Sequence, residues 1–343
     1  MNINLSLRTL HFKRPARTSR GAYSERRIIL LTATDEEGQR IGLGECAPLP
    51  DLSSDRDAYP TLSSVAGLIR QALDAEDYTE FLRPYPALLF ALESAIHDYR
   101  QSPTLYDTPF ARSEVGIPFN GLIWMSSPDE MLAQIKQKLL QGFHCIKLKI
   151  GANSWDDEIG LIRKVRSRYS RESLELRVDA NGAFTPDTAM QRLEALAALD
   201  VHSIEQPIAQ YQWHEMAELC RNTPLPIALD EELIGVTGRL EKETLLDTVR
   251  PQYIVLKPTL HGGMTGTMEW VSLADRRGIG SWITSALESN VGLRNVALLA
   301  ARIYGPDIRF PQGLGTGQLF TDNIEMDIEL RGARLWRSEV ADI

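Results

Sequence analysis

The sequence predicts an α/β chain: a barrel of repeated βα units, preceded by a smaller α+β domain. Three observations carry this. After about Ser113, short β-branched runs alternate with amphipathic helical stretches, the pattern of βαβ units and a parallel sheet. Polar residues end those runs at nearly even intervals. The first hundred or so residues have a different texture, on the order of one small domain.

In the N-terminal part, 2–13 and 26–35 read as strands. RPARTSRGAYSE between them is polar and carries Gly and Pro, so it reads as a mobile loop. GLGECAPL, 42–49, reads as a short strand entering a second loop. Helical periodicity follows over 62–75 and 86–99, the latter with Leu89, Leu92, Ala95 and Ile96 on one face. The later strand candidates are IPFNGLI, HCIKLKI, SLELRVDA, HSIEQ, PIALD, QYIVLK and GSWITSA. TPDTAMQRLEAL starts a helix with Thr185 as N-cap and Pro186 at its first position. The division reads as 1–112, 113–312 and a tail, 313–343, that returns to the N-terminal domain.

Composition excludes several classes. With 46 acidic against 37 basic residues the net charge is −9, a poor match for nucleic acid or an anionic membrane. The start lacks the apolar run of a signal peptide, and no run is long enough for a bilayer span. Cys46, Cys145 and Cys220 fit no zinc or redox spacing and are odd in number. The default setting is therefore a reduced cytoplasm.

The intervals locate the chemistry. Steps of 30, 26, 25, 27 and 28 residues separate Lys149, Asp179, Glu205, Asp230, Lys257 and Ser285. One βα unit averages about 30 residues, and such barrels place their sites at the C-terminal rim of the strands. The six residues then fall one strand apart around one mouth. Three close carboxylates cannot all stay ionised without a cation. An all-oxygen set without His or Cys favours Mg²⁺ over zinc. Alternation turns Lys147 and Lys149 together into the barrel, with Ile146, Leu148 and Ile150 facing the helices. Lys149 counts to the second strand and Lys257 to the sixth, opposite one another in a ring of eight. Two amines flanking a metal suit proton removal beside a carboxylate, where the cation stabilises the second negative charge. Lys147 and the metal supply the positive charge that makes Lys149 a base.

Each residue alone has a structural alternative. Strand-end aspartates cap turns, strand-end lysines snorkel, and Asp230 begins an acidic run. The shared spacing favours function. Cys145 reads as a buried core thiol. GLGTG at 313–317 lacks a following helix, so it reads as a strand end that lets backbone approach a substrate rather than as a dinucleotide loop.

KLK at 147–149, RVDANGAF at 177–184, IEQP at 204–207, LDE at 229–231 and VLKP at 255–258 together resemble the enolase superfamily, muconate-lactonising subgroup. A lysine base beside Mg²⁺ is the known chemistry of that superfamily, and the resemblance carries it to this chain. The resemblance implies a (β/α)₇β barrel closed by a capping domain. It implies Asp179, Glu205 and Asp230 as ligands of Mg²⁺, with Mn²⁺ able to substitute. Lys149 and Lys257 are the implied acid/base pair, and Lys147, Arg177 and Asn181 are supporting residues. Residues 17–21 and 46–50 occupy the places of the family's specificity loops. FNGLIW, ITSALESNVGL and GLGTGQLF are most similar to one dehydrating branch of the subgroup. That branch converts 2-succinyl-6-hydroxy-2,4-cyclohexadiene-1-carboxylate to 2-succinylbenzoate in menaquinone biosynthesis. By that analogy Lys149 removes the proton and returns it to the departing hydroxide on the same face, while Lys257 holds the charged ring. Ser285, Gly313 and Gly315 then help hold a small carboxylate substrate. The rival reading is racemisation or epimerisation of N-succinylamino acids or dipeptides with both lysines as bases, although the Asp-x-Asp typical of the dipeptide enzymes is missing from the last strand. A binding protein without catalysis would be expected to have lost the acid/base set, which is intact.

Overall fold

The computed structural model describes residues 1–18 and 21–338, with only backbone described at 17, 18 and 21. The N-terminal domain is a three-stranded antiparallel sheet, β1 (Asn2–Thr18), β2 (Gly21–Thr34) and β3 (Ile41–Cys46), backed by helices. Helix Pro86–Arg100 starts with proline at its first turn and buries nearly all its faces. The sheet comes so close to it that β3 requires glycine. A Cβ on Gly44 would collide with the Ala91 carbonyl oxygen, and one on Gly42 with the Tyr99 backbone nitrogen.

The expected loop between the first two strands is instead paired. The ladder continues through Ala16↔Tyr23 and Arg17↔Ala22 after an irregularity between His11 and Ala16. Pro15 lies in that irregularity and has no N–H to give the ladder, so the break is local and pairing resumes beyond it. Residues 19–20 of the anticipated specificity loop, and all side chains of 17–21, lie outside the described residues.

The rest of the chain is built on a parallel sheet. IPFNGLI divides into β4 (Ile117–Pro118) and β5 (Gly121–Ile123). Then follow β6 (Cys145–Lys149), β7 (Glu175–Asp179), β8 (Ser203–Glu205), β9 (Ile227–Leu229), β10 (Tyr253–Leu256) and β11 (Gly280–Ile283). Strands β5 to β11 are hydrogen-bonded in chain order. The sheet curls. Its two edges meet residues 312–313, through parallel bridges Thr284↔Gly313 and Phe119↔Gln312.

The helices between these strands carry local start signals. Ser127 and Glu130 close a reciprocal capping box, and Ser154 accepts from the Asp157 N–H. Helix Pro186–Ala197 does begin after Thr185, but that hydroxyl pairs with Thr188 Oγ1 rather than with a backbone N–H. The helices pack on strand faces bearing Ile146, Leu148, Leu176, Val178, Ile204, Leu229 and Ile254, the main core.

The tail touches both parts of the molecule. Phe320 bridges Phe12 of β1, and Thr321 donates to the His11 carbonyl. The hairpin β12 (Ile328–Arg331) and β13 (Arg334–Arg337) then pairs with β4.

Candidate active site

Register places the charged residues in one layer. Lys149 is level with Asp179, and Asp179 with Glu205. Asp230 and Lys257 directly follow β9 and β10. Lys147 Nζ lies 2.6 Å from Glu205 Oε2 and 3.0 Å from Asp179 Oδ2. Lys149 Nζ lies 3.1 Å from Asp179 Oδ2 and donates to Asn181 Oδ1 at 2.8 Å. Lys257 pairs with Asp230. All three carboxylates are buried.

The strand ends reach this arrangement through special backbone. Asn181 and Gln206 adopt positive φ, 44° and 40°, a region where a non-glycine side chain needs local support. Asn181 N–H has that support from Asp179 Oδ1, while the Gln206 side-chain oxygen accepts from the Asp230 and Glu232 N–H groups. Two functional strand ends are thereby tied to each other.

The electrostatics follow from too many acids for the available amines. Burial pushes the Glu205 carboxyl up to about 8, with the neighbouring Asp179 charge adding to the effect. Burial acts on Asp179 in the same direction, but Lys147, Lys149 and Lys257 outweigh it and hold Asp179 below the ordinary carboxylate range. One ammonium, Lys147, is shared by two carboxylates, and Asp179 is the better served. Burial tends to lower Lys147 and Lys257. Their acidic neighbours, led by Asp179 for Lys147 and by Asp230 for Lys257, more than reverse this and keep both cationic.

A divalent cation fits this donor set. Among the described residues Glu205 Oε1 and Asp230 Oδ1 are buried oxygens without a hydrogen-bond partner, and the donors are all hard oxygens. Counting Glu231, four acidic groups face three lysines, so added positive charge suits the site. Among the described residues no three acidic, histidine or cysteine side chains stand ready as a coordination shell. Lys147 and Lys257 instead occupy carboxylate oxygens, so a cation has to displace ammonium contacts.

Above the charges is a cleft partly open to solvent. Lys147, Lys149, Asp179, Asn181 and Lys257 line its floor, and Ser285, Gly313 and Gly315 line a wall. Arg177 is elsewhere. It is buried, donates to Glu175 Oε1 and the Pro311 carbonyl, and stacks 4.4 Å from the Trp282 ring centre. It braces the interior of the curled sheet two residues before Asp179 on the same strand. Cys145 is a buried free thiol, as expected.

Several participants carry no signal in the spacing. Glu231 accepts from Asn181 Nδ2 at 2.9 Å, and burial pushes it up to about 7, with Asp230 adding to the shift. In sequence it is only part of an acidic run, yet its place beside Asp230 is a usable signal. Buried Glu288 accepts from Thr259 Oγ1 and Ser285 Oγ, both at 2.5 Å, and Thr316 donates on to Ser285 at 2.6 Å. Tyr23 and Asp51 pair at the cleft from the N-terminal domain. No period connects Glu231, Glu288, Thr316, Tyr23 and Asp51, because they come from loops, short helical turns and the N-terminal strand β2.

Residues 130–322 match the enolase C-terminal domain-like family model, more than half the chain. This chain belongs to the enolase superfamily. An o-succinylbenzoate synthase of Desulfotalea psychrophila is 42% identical to this superfamily member, over 98% of each chain. The crystal structure of MenC from Desulfotalea psychrophila LSv54 superposes with a TM-score of 0.77 at 40% identity, covering 98% of this chain and all of that one. An N-succinylamino acid racemase of Amycolatopsis is 29% identical over 89% of this chain and 88% of its own.

Proposed function

We propose that this enolase-superfamily chain is an o-succinylbenzoate synthase. It removes water from 2-succinyl-6-hydroxy-2,4-cyclohexadiene-1-carboxylate, in the cytoplasm, within menaquinone biosynthesis. The carrying observation is the 42% identity to a synthase across essentially both whole chains. The curled sheet, closed through residues 312–313, is read as a (β/α)₇β barrel capped by the N-terminal domain.

Asp179, Glu205 and Asp230 would hold Mg²⁺ or Mn²⁺. When bound, the cation stabilises the negative charge that proton loss places on the substrate carboxylate. Lys149 takes the proton from the ring carbon beside that carboxylate. The electron pair left behind expels the hydroxyl group. Lys149 returns the proton to it on the same face, so that water leaves and the ring becomes aromatic. Lys257 stays protonated, consistent with its pairing to Asp230, and faces the charged ring as a cation. Asn181 steadies Lys149, and Lys147 balances Asp179 and Glu205. The wall of Ser285, Gly313 and Gly315 receives the rest of the substrate.

A racemase reading has one observation in its favour: Lys149 and Lys257 both line the same cleft, as a two-base exchange needs. Comparing kcat/KM separates the two. The proposal expects the cyclohexadiene substrate to exceed N-succinylamino acids and Ala-Glu dipeptides by about a hundredfold or more, a difference of roughly 3 kcal/mol in transition-state binding. A larger value for either of the latter overturns it.

A further inference from the structure

Arg26, on β2, is a charged side chain with only 3% of its surface exposed. It pairs across the sheet with Leu10, and its partners Ala47, Ala286 and Leu287 belong with Leu10, Ile28, Leu49 and Leu260 to one apolar cluster, while the carboxylates of Glu45 and Glu288 act on it electrostatically. A guanidinium in such a place needs its donors satisfied. Among the described residues its hydrogen-bond partners are all backbone carbonyls. Nη1 donates to Pro48 at 2.6 Å, and Nη2 donates to Ala47 and, at 3.4 Å, to Ala286. Nε donates to Leu287 at 3.2 Å. Two of these carbonyls belong to the loop after β3 and two to the loop after β11.

Both loops form the cleft. Leu49, Asp51 and Leu52 line it from the N-terminal domain, and Ser285, Ala286 and Leu287 line it from the parallel sheet. Leu287 also holds a φ of 66°, which a leucine adopts only under constraint. Its carbonyl is one of those that Arg26 binds. A second tie lies beside the first: Glu45 accepts from the Ser289 N–H and hydroxyl and from the Gly292 N–H.

We propose that Arg26 is a positioning residue that clamps these two loops into one rigid wall, fixing the cleft's shape for the non-reacting part of the substrate. The planar guanidinium suits this task because its five N–H donors point in fixed directions and can engage two chain segments together. A lysine carries the same charge on a single nitrogen and cannot span both pairs of carbonyls. Arg26 lines neither the cleft nor the carboxylate cluster, so its effect falls on substrate fit and not on the proton transfer.

Arg26→Lys is the test, and the dehydration reading enters only through the choice of assay. KM for the cyclohexadiene substrate is expected to rise about tenfold, while kcat stays within about threefold. A drop in kcat at unchanged KM, or no change in either, overturns the clamp. Hydrogen exchange in the unmodified protein provides a measurement independent of the variant's folding and of the reaction. Amides of 46–52 and 284–289 are expected to open as one unit. Independent exchange of the two loops overturns the clamp even if turnover is normal. Absence of turnover in the unmodified protein would count against the dehydration reading and leave the exchange result to decide the clamp.

Discussion

Lys149→Ala is expected to lower kcat by about four orders of magnitude while leaving the fold and melting temperature nearly unchanged. General acid–base catalysis contributes roughly 10² to 10⁴ in rate. Lys149 is assigned both halves, taking the proton and returning it to the leaving hydroxyl, so its loss falls at the upper end. The fold is spared because, among the described residues, its ammonium bonds only Asp179 and Asn181, and Asp179 keeps Lys147 at 3.0 Å. Steady-state kinetics on the purified variant decide the point. Turnover within tenfold of the unmodified enzyme removes Lys149 as the base. Lys149→Arg, which keeps the charge but cannot shed its proton, should be as inactive as the alanine variant.

Glu205→Gln is expected to abolish turnover and metal binding together, yet not to destabilise the metal-free protein above neutral pH. The carboxyl is pushed up to about 8 by burial and the Asp179 charge. Between its ordinary value and 8, the folded protein therefore binds a proton that the unfolded chain has released. The sign follows: this group stabilises the fold at low pH, and its contribution is lost as pH rises through that window. A neutral isostere still accepts from Lys147 but has no such penalty. Thermal melts should show the metal-free variant less sensitive to rising pH than the parent. Saturating Mg²⁺ at about a hundred times its Kd adds roughly 2.7 kcal/mol to the parent and nothing to the variant. A variant still stabilised by Mg²⁺ would remove Glu205 from the ligand set.

How much of each residue's role is legible in the sequence depends on what sets its position. Lys149, Asp179, Glu205, Asp230 and Lys257 are legible because one βα unit separates each from the next, so chain distance becomes angular position around the sheet. The direction of Lys147 and Lys149 follows from strand alternation alone. The pairing of residues 16–18 with 21–23 is not legible, because polar composition and Pro15 signal a loop while the ladder between β1 and β2 resumes past it. Arg177 is legible as a neighbour of Asp179 but not as a brace bonded to Glu175 and stacked on Trp282. Arg26 and Glu288 are silent, and Glu231 shows only through its place beside Asp230. Their partners lie on loops brought together by tertiary packing, where no period links the residues.

The proposed reaction turns on proton removal from the ring carbon beside a carboxylate held at the cation site. Its most direct test is turnover of substrate carrying deuterium on the ring carbon next to the carboxylate, with Mg²⁺ and then with excess chelator. A primary isotope effect on kcat/KM in the presence of Mg²⁺, and loss of turnover in chelator restored by Mg²⁺ or Mn²⁺, is the predicted result. Undiminished turnover in chelator, at the same rate for both isotopes, would contradict it.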